Sequence, residues 1–133
     1  MAASKDFSSK YGPWAMVTGA ARGLGAEYSR QIAAKGLNVL MIDLLADELA
    51  RTADDIRKAS GRRVETLTVD LSLPGFIDKI KQRTDSMEIG LLVSNAAYGP
   101  VGMFIERGLE EKLRALAINV RAPLTLTHEF AGK

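Results

Sequence analysis

Ala15-Met16-Val17-Thr18-Gly19-Ala20-Ala21-Arg22-Gly23-Leu24-Gly25-Ala26 runs a short apolar strand into glycines at 19, 23 and 25, and then into a helical pattern. The next apolar run closes on Asp43, 18 residues beyond Gly25. A diphosphate must be approached without bulky side chains in the way, and a helix amino terminus offers it free backbone N–H groups and a favourable dipole. On that reading Gly19 permits the tight turn out of the strand, Gly23 lets backbone approach phosphate, and Gly25 lets the helix pack on the strand. Arg22 and Leu24 complete the loop. The spacing is G-x-x-x-G-x-G rather than G-x-G-x-x-G, and a carboxylate at the end of the second strand is placed to accept hydrogen bonds from ribose hydroxyls. The stretch is a dinucleotide-binding signature. The competing reading makes the glycines plain turn residues and Asp43 a cap on the helix that follows.

Outward from this stretch the pattern alternates. Trp14 to Val17 reads as a first strand and Leu24 to Lys35 as a helix closed by Gly36. Asn38 to Asp43 is almost continuously apolar, as expected of a strand covered by helices on both faces. Ala46 to Ser60 carries Leu49, Ala53 and Ile56 at helical spacing and stops before Gly61. Val64 to Val69 is a third strand, Pro74 opens a helix reaching about Thr84 with Ile77 and Ile80 inward, and Ile89 to Ser94 is a fourth strand. Leu109 to about Ala131 reads as one long helix interrupted by Pro123, with Leu113, Leu116 and Val120 on its apolar side. Four strand and helix alternations predict an α/β fold, a doubly wound parallel sheet in the order 3-2-1-4, with residues 1–133 forming a single partial domain.

Composition narrows the function classes. The 133 residues are 47% hydrophobic and 26% charged, ordinary for a globular protein, and the net charge of +2 comes from 18 basic and 16 acidic residues scattered along the chain. A nucleic-acid partner is not implied. With no cysteine and one histidine, His128, the chain lacks the usual zinc ligands and any thiol nucleophile. No stretch has signal-peptide or membrane-spanning character, which predicts a cytoplasmic protein without membrane association. The mixed charges from Asp47 to Lys58 read as a solvated helix face.

Thr18-Gly19-Ala20-Ala21-Arg22-Gly23-Leu24-Gly25 resembles the T-G-x-x-x-G-x-G motif of the short-chain dehydrogenase/reductase family. Further landmarks follow in order. Asp70-Leu71 resembles the family's adenine-contacting acidic pair, Ser94-Asn95-Ala96-Ala97 its N-N-A-G segment, and Asn119-Val120 the motif Asn on its long helix. Ser94 and Ala97 depart from the N-N-A-G pattern, as two small residues. Asn95 keeps the position that the resemblance assigns to bridging the first and fourth strands, with Thr18 placed to join it. Tyr11 to Ala15 and Ile89 to Val93 further resemble the hydroxysteroid dehydrogenase and 3-ketoacyl-CoA reductase branch, whose members commonly prefer NADP.

The resemblance implies hydride exchange between a nicotinamide cofactor and a secondary alcohol or ketone, using a Tyr, a Lys, a Ser and the helix Asn. Only Asn119 has a counterpart here. The residues four beyond Tyr11, Tyr28 and Tyr98 are Ala15, Ile32 and Gly102, so no Tyr-x-x-x-Lys occurs. An unperturbed tyrosine, of pKa about 10, is a poor base at neutral pH without a nearby cation. The resemblance further implies that the missing strand and helix would begin just after Lys133, so the chain reads as cropped. Pro123 has no N–H for the Asn119 carbonyl four residues earlier, which leaves that carbonyl free for the water of the family's proton relay. For the cofactor, Asp43 repels a ribose 2′-phosphate and favours NAD over NADP, whereas Arg22 pulls the other way; the carboxylate is taken to decide. Tyr98, Met103 and Phe104 either line a substrate pocket or cover the core. The apolar edge of the fourth strand predicts self-association or a homo-oligomer.

Overall fold

Four apolar runs become four parallel strands, β1 (Trp14–Thr18), β2 (Asn38–Asp43), β3 (Val64–Thr68) and β4 (Ile89–Ser94), in the order β3-β2-β1-β4. This is the expected topology. The computed structural model describes residues 6–132. Between the strands lie α2 (Gly23–Ala34), α3 (Ala46–Ser60) and α4 (Phe76–Thr84), preceded by a short α1 (Phe7–Tyr11).

The continuous apolarity of β1 and β2 has a direct explanation in the two cores. Ala15, Val17, Val39 and Met41 pack against Ile32 and Ala33 of α2 and Leu49, Ala53 and Ile56 of α3. Trp14, Met16, Leu40 and Ile42 face the other way, against Phe76 and Ile80 of α4 and residues of the last helix. Alternate side chains thus point to opposite covered faces, so both faces take apolar residues, Thr18 at the end of β1 excepted. Each fully buried aliphatic side chain contributes about 2 kcal/mol from apolar burial. Gly61 ends α3 in the left-handed region at φ +67° and sends its N–H to the Arg57 carbonyl, as its place after the helix predicts.

Two expectations need correction. The fourth helix begins at Phe76, not Pro74: Pro74 sits in the preceding turn, and Phe76 takes the inward position while Ile77 is only half-buried. The long helix is three pieces, α5 (Leu109–Leu116), a π turn over Ala117–Arg121, and α6 (Ala122–Phe130). In the π turn the Ala122 N–H closes on the Ala117 carbonyl, five residues back. Pro123 cannot donate to Asn119, so the ladder slips by one residue just ahead of it.

The inward face of this helical segment is also not the one expected. Leu113, Leu116 and Val120 are 54%, 55% and 53% exposed, and the buried residues are Ala117, Ile118, Ala122 and Leu126. The segment carries two apolar stripes. Periodicity located one of them; on the other, Ala122 and Leu126 pack with Trp14 and Met16 of β1 and Leu92 of β4.

Candidate functional site

The carboxyl ends of the parallel strands open onto a cleft of about 380 Å³. Open α/β sheets bind ligands at such a place, where the strand order reverses; here that is between β1 and β4. Gly19, Arg22, Asp43, Asp70, Leu71, Asn95, Ala96 and Ala97, all singled out in the sequence, line it together.

The loop after β1 is built by its glycines. Gly19 (φ +67°) and Gly23 (φ +59°) occupy left-handed backbone conformations. Gly25 is fixed by space instead: a Cβ there would lie 2.0 Å from the Gly19 carbonyl oxygen and 2.7 Å from Asn95 Nδ2. At Gly23 an added Cβ would meet nothing within 4 Å, so the loop is open on that side. The amino terminus of α2 carries no side-chain cap and no acidic residue in its first turn. Its leading N–H groups, from Gly23, Leu24 and Gly25, therefore have no helical partners and no acidic side chain in their own turn.

Neighbouring elements hold this loop in place. Asp43 accepts from the Ala21 N–H through Oδ2 (3.0 Å) and from the Leu45 N–H through Oδ1 (3.0 Å). It thus ties the glycine loop to the entry of α3, while staying partly exposed. Thr52 of α3 donates its hydroxyl to the Ala21 carbonyl at 2.7 Å. Both readings of Asp43 therefore have structural content: it organises the turn before α3 and presents carboxylate lone pairs beside the loop. Arg22 is well exposed and lies 4.0 Å from Glu48.

Across the sheet, Asn95 performs the bridging expected of it. Its Nδ2 donates to the carbonyls of Thr18 and Gly19, both at 3.2 Å. Thr18 Oγ1 in turn accepts from the N–H groups of Asn95 and Ala96, both at 3.1 Å. Asp70 follows β3 and turns the chain back on itself, Oδ1 accepting from the Ser72 hydroxyl (2.6 Å) and amide (2.9 Å). Partial burial acts to raise its pKa, but the Ser72 hydrogen bonds and the Arg114 guanidinium, 3.5 Å from Oδ2, outweigh it. The carboxyl is held below its ordinary value and stays ionised.

Not every candidate reaches the cleft. Leu24 points outward from the first turn of α2, 71% exposed, and Gly23 borders a shallow groove with Arg22 and Glu48. Asn119 is exposed on the π turn, where it pairs with the Tyr98 backbone: Oδ1 accepts from the Tyr98 N–H (2.8 Å) and Nδ2 donates to its carbonyl (2.7 Å). It anchors the loop after β4. Val120 lies beside it on the exposed stripe. Tyr98 lines the cleft, whereas Met103 and Phe104 are exposed and do neither of the things expected of them. His128 is exposed on α6. Arg114, Leu44 and Leu45 line the cleft without having been anticipated. No motif marks Arg114, one of several charges on an amphipathic helix, and only the fold brings it to Asp70. Among the described residues no three His, Asp or Glu side chains gather as a metal site, and no helix is long and apolar enough to cross a membrane.

Comparison with known proteins gives concordant results. The family model for short chain dehydrogenases matches residues 13–133. The chain is 35% identical to human 17-beta-hydroxysteroid dehydrogenase type 3 over 96 residues, which are 72% of this chain and 31% of that protein. It is also 35% identical to rat very-long-chain 3-oxoacyl-CoA reductase over 97 residues, covering 73% of this chain and 30% of the relative. Among solved structures, a short-chain dehydrogenase from Sphingobium yanoikuyae in complex with NADPH superposes with a TM-score of 0.83 at 29% identity, over 90% of this chain and 47% of that one. The chain thus spans about a third of the length of these curated relatives and about half of the solved one.

Proposed function

The chain belongs to the short-chain dehydrogenase family, and from that membership we propose that residues 1–133 form one partial domain that holds the nicotinamide dinucleotide of an oxidoreductase. One observation carries the reading. The bare amino terminus of α2, without cap or acidic residue, stands behind a glycine loop pinned from two sides at the mouth of the cleft. That arrangement supplies backbone donors and positive potential for a diphosphate, and pre-organises them. Asp43 lies on the ribose side and Asp70 on the base side.

The bound cofactor supplies the hydride that the complete protein exchanges with a secondary alcohol or ketone. This chain's residues bind and orient it. The Gly23, Leu24 and Gly25 amides receive phosphate oxygens, Asp43 accepts from ribose hydroxyls, and Asn95 holds β1 and β4 at the spacing the site needs. Asn119 fixes the Tyr98 loop beside it. The absence of a Tyr-x-x-x-Lys within these residues favours binding without turnover by this chain alone.

Between the two cofactors the reading favours NAD, because a 2′-phosphate would lie against the Asp43 carboxylate. The NADPH held by the solved relative is the contrary indication, and Arg22 is the cation that would serve it. Calorimetric titration with both dinucleotides tests the reading. NAD is expected to bind more tightly than NADP; tighter NADP overturns the preference, and no uptake of either overturns the whole proposal. In the same samples a panel of secondary alcohols is expected to produce no reduced-nicotinamide absorbance. We further propose that copies self-associate through the open edge of β4, as its sequence suggests, together with the exposed Leu113, Leu116 and Val120 stripe.

A further inference from the structure

Arg22 stands between two depressions in the surface. It lines the cleft together with Asp43, and it also lines a groove between α2 and α3 whose other charged residues are Arg30, Glu48, Arg51 and Asp55. Its backbone is fixed through its neighbour: the Ala21 N–H donates to Asp43 Oδ2 at 3.0 Å, and the Ala21 carbonyl accepts from the Thr52 hydroxyl. The side chain is far less confined, being 74% exposed. Its Nη1 lies 4.0 Å from Oε2 of Glu48, a residue of the first turn of α3 that is itself 39% exposed. Among the described residues the other cation lining the cleft is Arg114, which lies 3.5 Å from Asp70 Oδ2 and so belongs to the other side.

A guanidinium recognises phosphate by presenting a planar fork of N–H groups, and a fork drawn to a carboxylate elsewhere is not presented. We propose that Glu48 is a specificity-determining residue, which draws Arg22 towards the groove and so withholds it from a ribose 2′-phosphate in the cleft. The inference rests on the dinucleotide reading above and adds a second carboxylate to the choice between NAD and NADP. Asp43 acts on a 2′-phosphate by direct repulsion. Glu48 acts through Arg22, which must leave it before it can serve the phosphate. Separating so exposed a pair costs little, so the effect on affinity is about fivefold. Asp47 and Glu48 both also sit favourably at the positive end of the α3 dipole. That shared role is structural and does not involve Arg22, so Asp47 provides the comparison.

The probes are NAD and NADP, titrated calorimetrically at low salt into the full chain and its Glu48→Gln, Asp47→Asn, Arg22→Gln and Arg22→Gln/Glu48→Gln variants, each checked for folding by circular dichroism. Glu48→Gln is expected to strengthen NADP about fivefold while NAD stays within about twofold of wild type. Asp47→Asn removes the same charge from the same turn and is expected to move the ratio of the two affinities by less than about twofold. In the Arg22→Gln background, Glu48→Gln is expected to move that ratio by less than about twofold as well. A ratio unmoved by Glu48→Gln overturns the proposal. So does one moved equally by Asp47→Asn, or one that shifts as far without Arg22, since either result reduces Glu48 to a diffuse charge. If the wild type binds NADP more tightly than NAD, the cofactor preference argued above falls, and the shift produced by Glu48→Gln still decides this proposal. If neither dinucleotide binds the folded wild type, the underlying reading fails along with this one.

Discussion

At Gly25 one added carbon would fall 2.0 Å from a backbone oxygen, and at Gly23 it would meet nothing. The two glycines of one motif therefore fail differently. Gly25→Ala forces the start of α2 away from Gly19 and is expected to cost about 3 kcal/mol, read as a lower midpoint in urea unfolding. Gly23→Ala meets only the left-handed backbone penalty of about 1 kcal/mol, but its methyl enters the open space before the loop. Its stability is expected to change little while dinucleotide affinity falls; an unfolding midpoint lowered as far as in Gly25→Ala would contradict this. Asp70 gives a prediction with a pH sign. Its folded pKa lies below the unfolded value of about 3.9, so the stabilisation is fully present above that value and is lost as pH falls through the folded pKa. Asp70→Asn is thus expected to be less stable than wild type near neutrality, with the gap closing below about pH 4. Urea unfolding at stepped pH values measures it, and a gap that stays constant down to pH 3 would count against the ionised pairing.

The elements differ in how far their sequences reveal them. β2 and α3 match their expected bounds because local signals mark both ends: continuous apolarity with a terminal Asp43, and helical periodicity stopped by Gly61. The segment after Gly108 is different. Its periodicity shows that an apolar stripe exists but not what the stripe faces, and Ala117, Ile118, Ala122 and Leu126 turned out to be the side against the sheet. The slip into a π turn was equally hidden, although Pro123 disclosed that the helix is interrupted. Leu113, Leu116 and Val120 remain on the surface, so replacing them tests association rather than folding. Leu113→Glu with Leu116→Glu is expected to leave thermal stability at low concentration nearly unchanged, and to shift sedimentation towards the monomer. A large drop in stability instead would mean that the stripe is buried within the chain.

Across the whole molecule, legibility follows sequence distance. The glycine loop and the strand-end carboxylates are readable because each signal is local and the alternation of strands and helices places them on one side of the sheet. Arg114 could not be read in that way, whereas Tyr98, just after β4, is one of the residues the sequence offers for a pocket and does line the cleft. Arg114 becomes part of the cleft only once α5 has brought it 3.5 Å from Asp70, and nothing in a run of charged residues tells which one will arrive. The same topology sorts the strands by protection. β1 is hydrogen-bonded on both edges and buried along its length, while β4 is bonded on one side and half-covered. In deuterated buffer, amides of Ala15, Met16 and Val17 should be the last to exchange, and those of the edge strands β3 and β4 should vanish from the spectrum before them. Because Asn95 begins where β4 ends and reaches back to Thr18 and Gly19, a slow clock and a faster one meet at one amide group. Fraying of the outer strand would therefore be felt at once in the loop that receives phosphate.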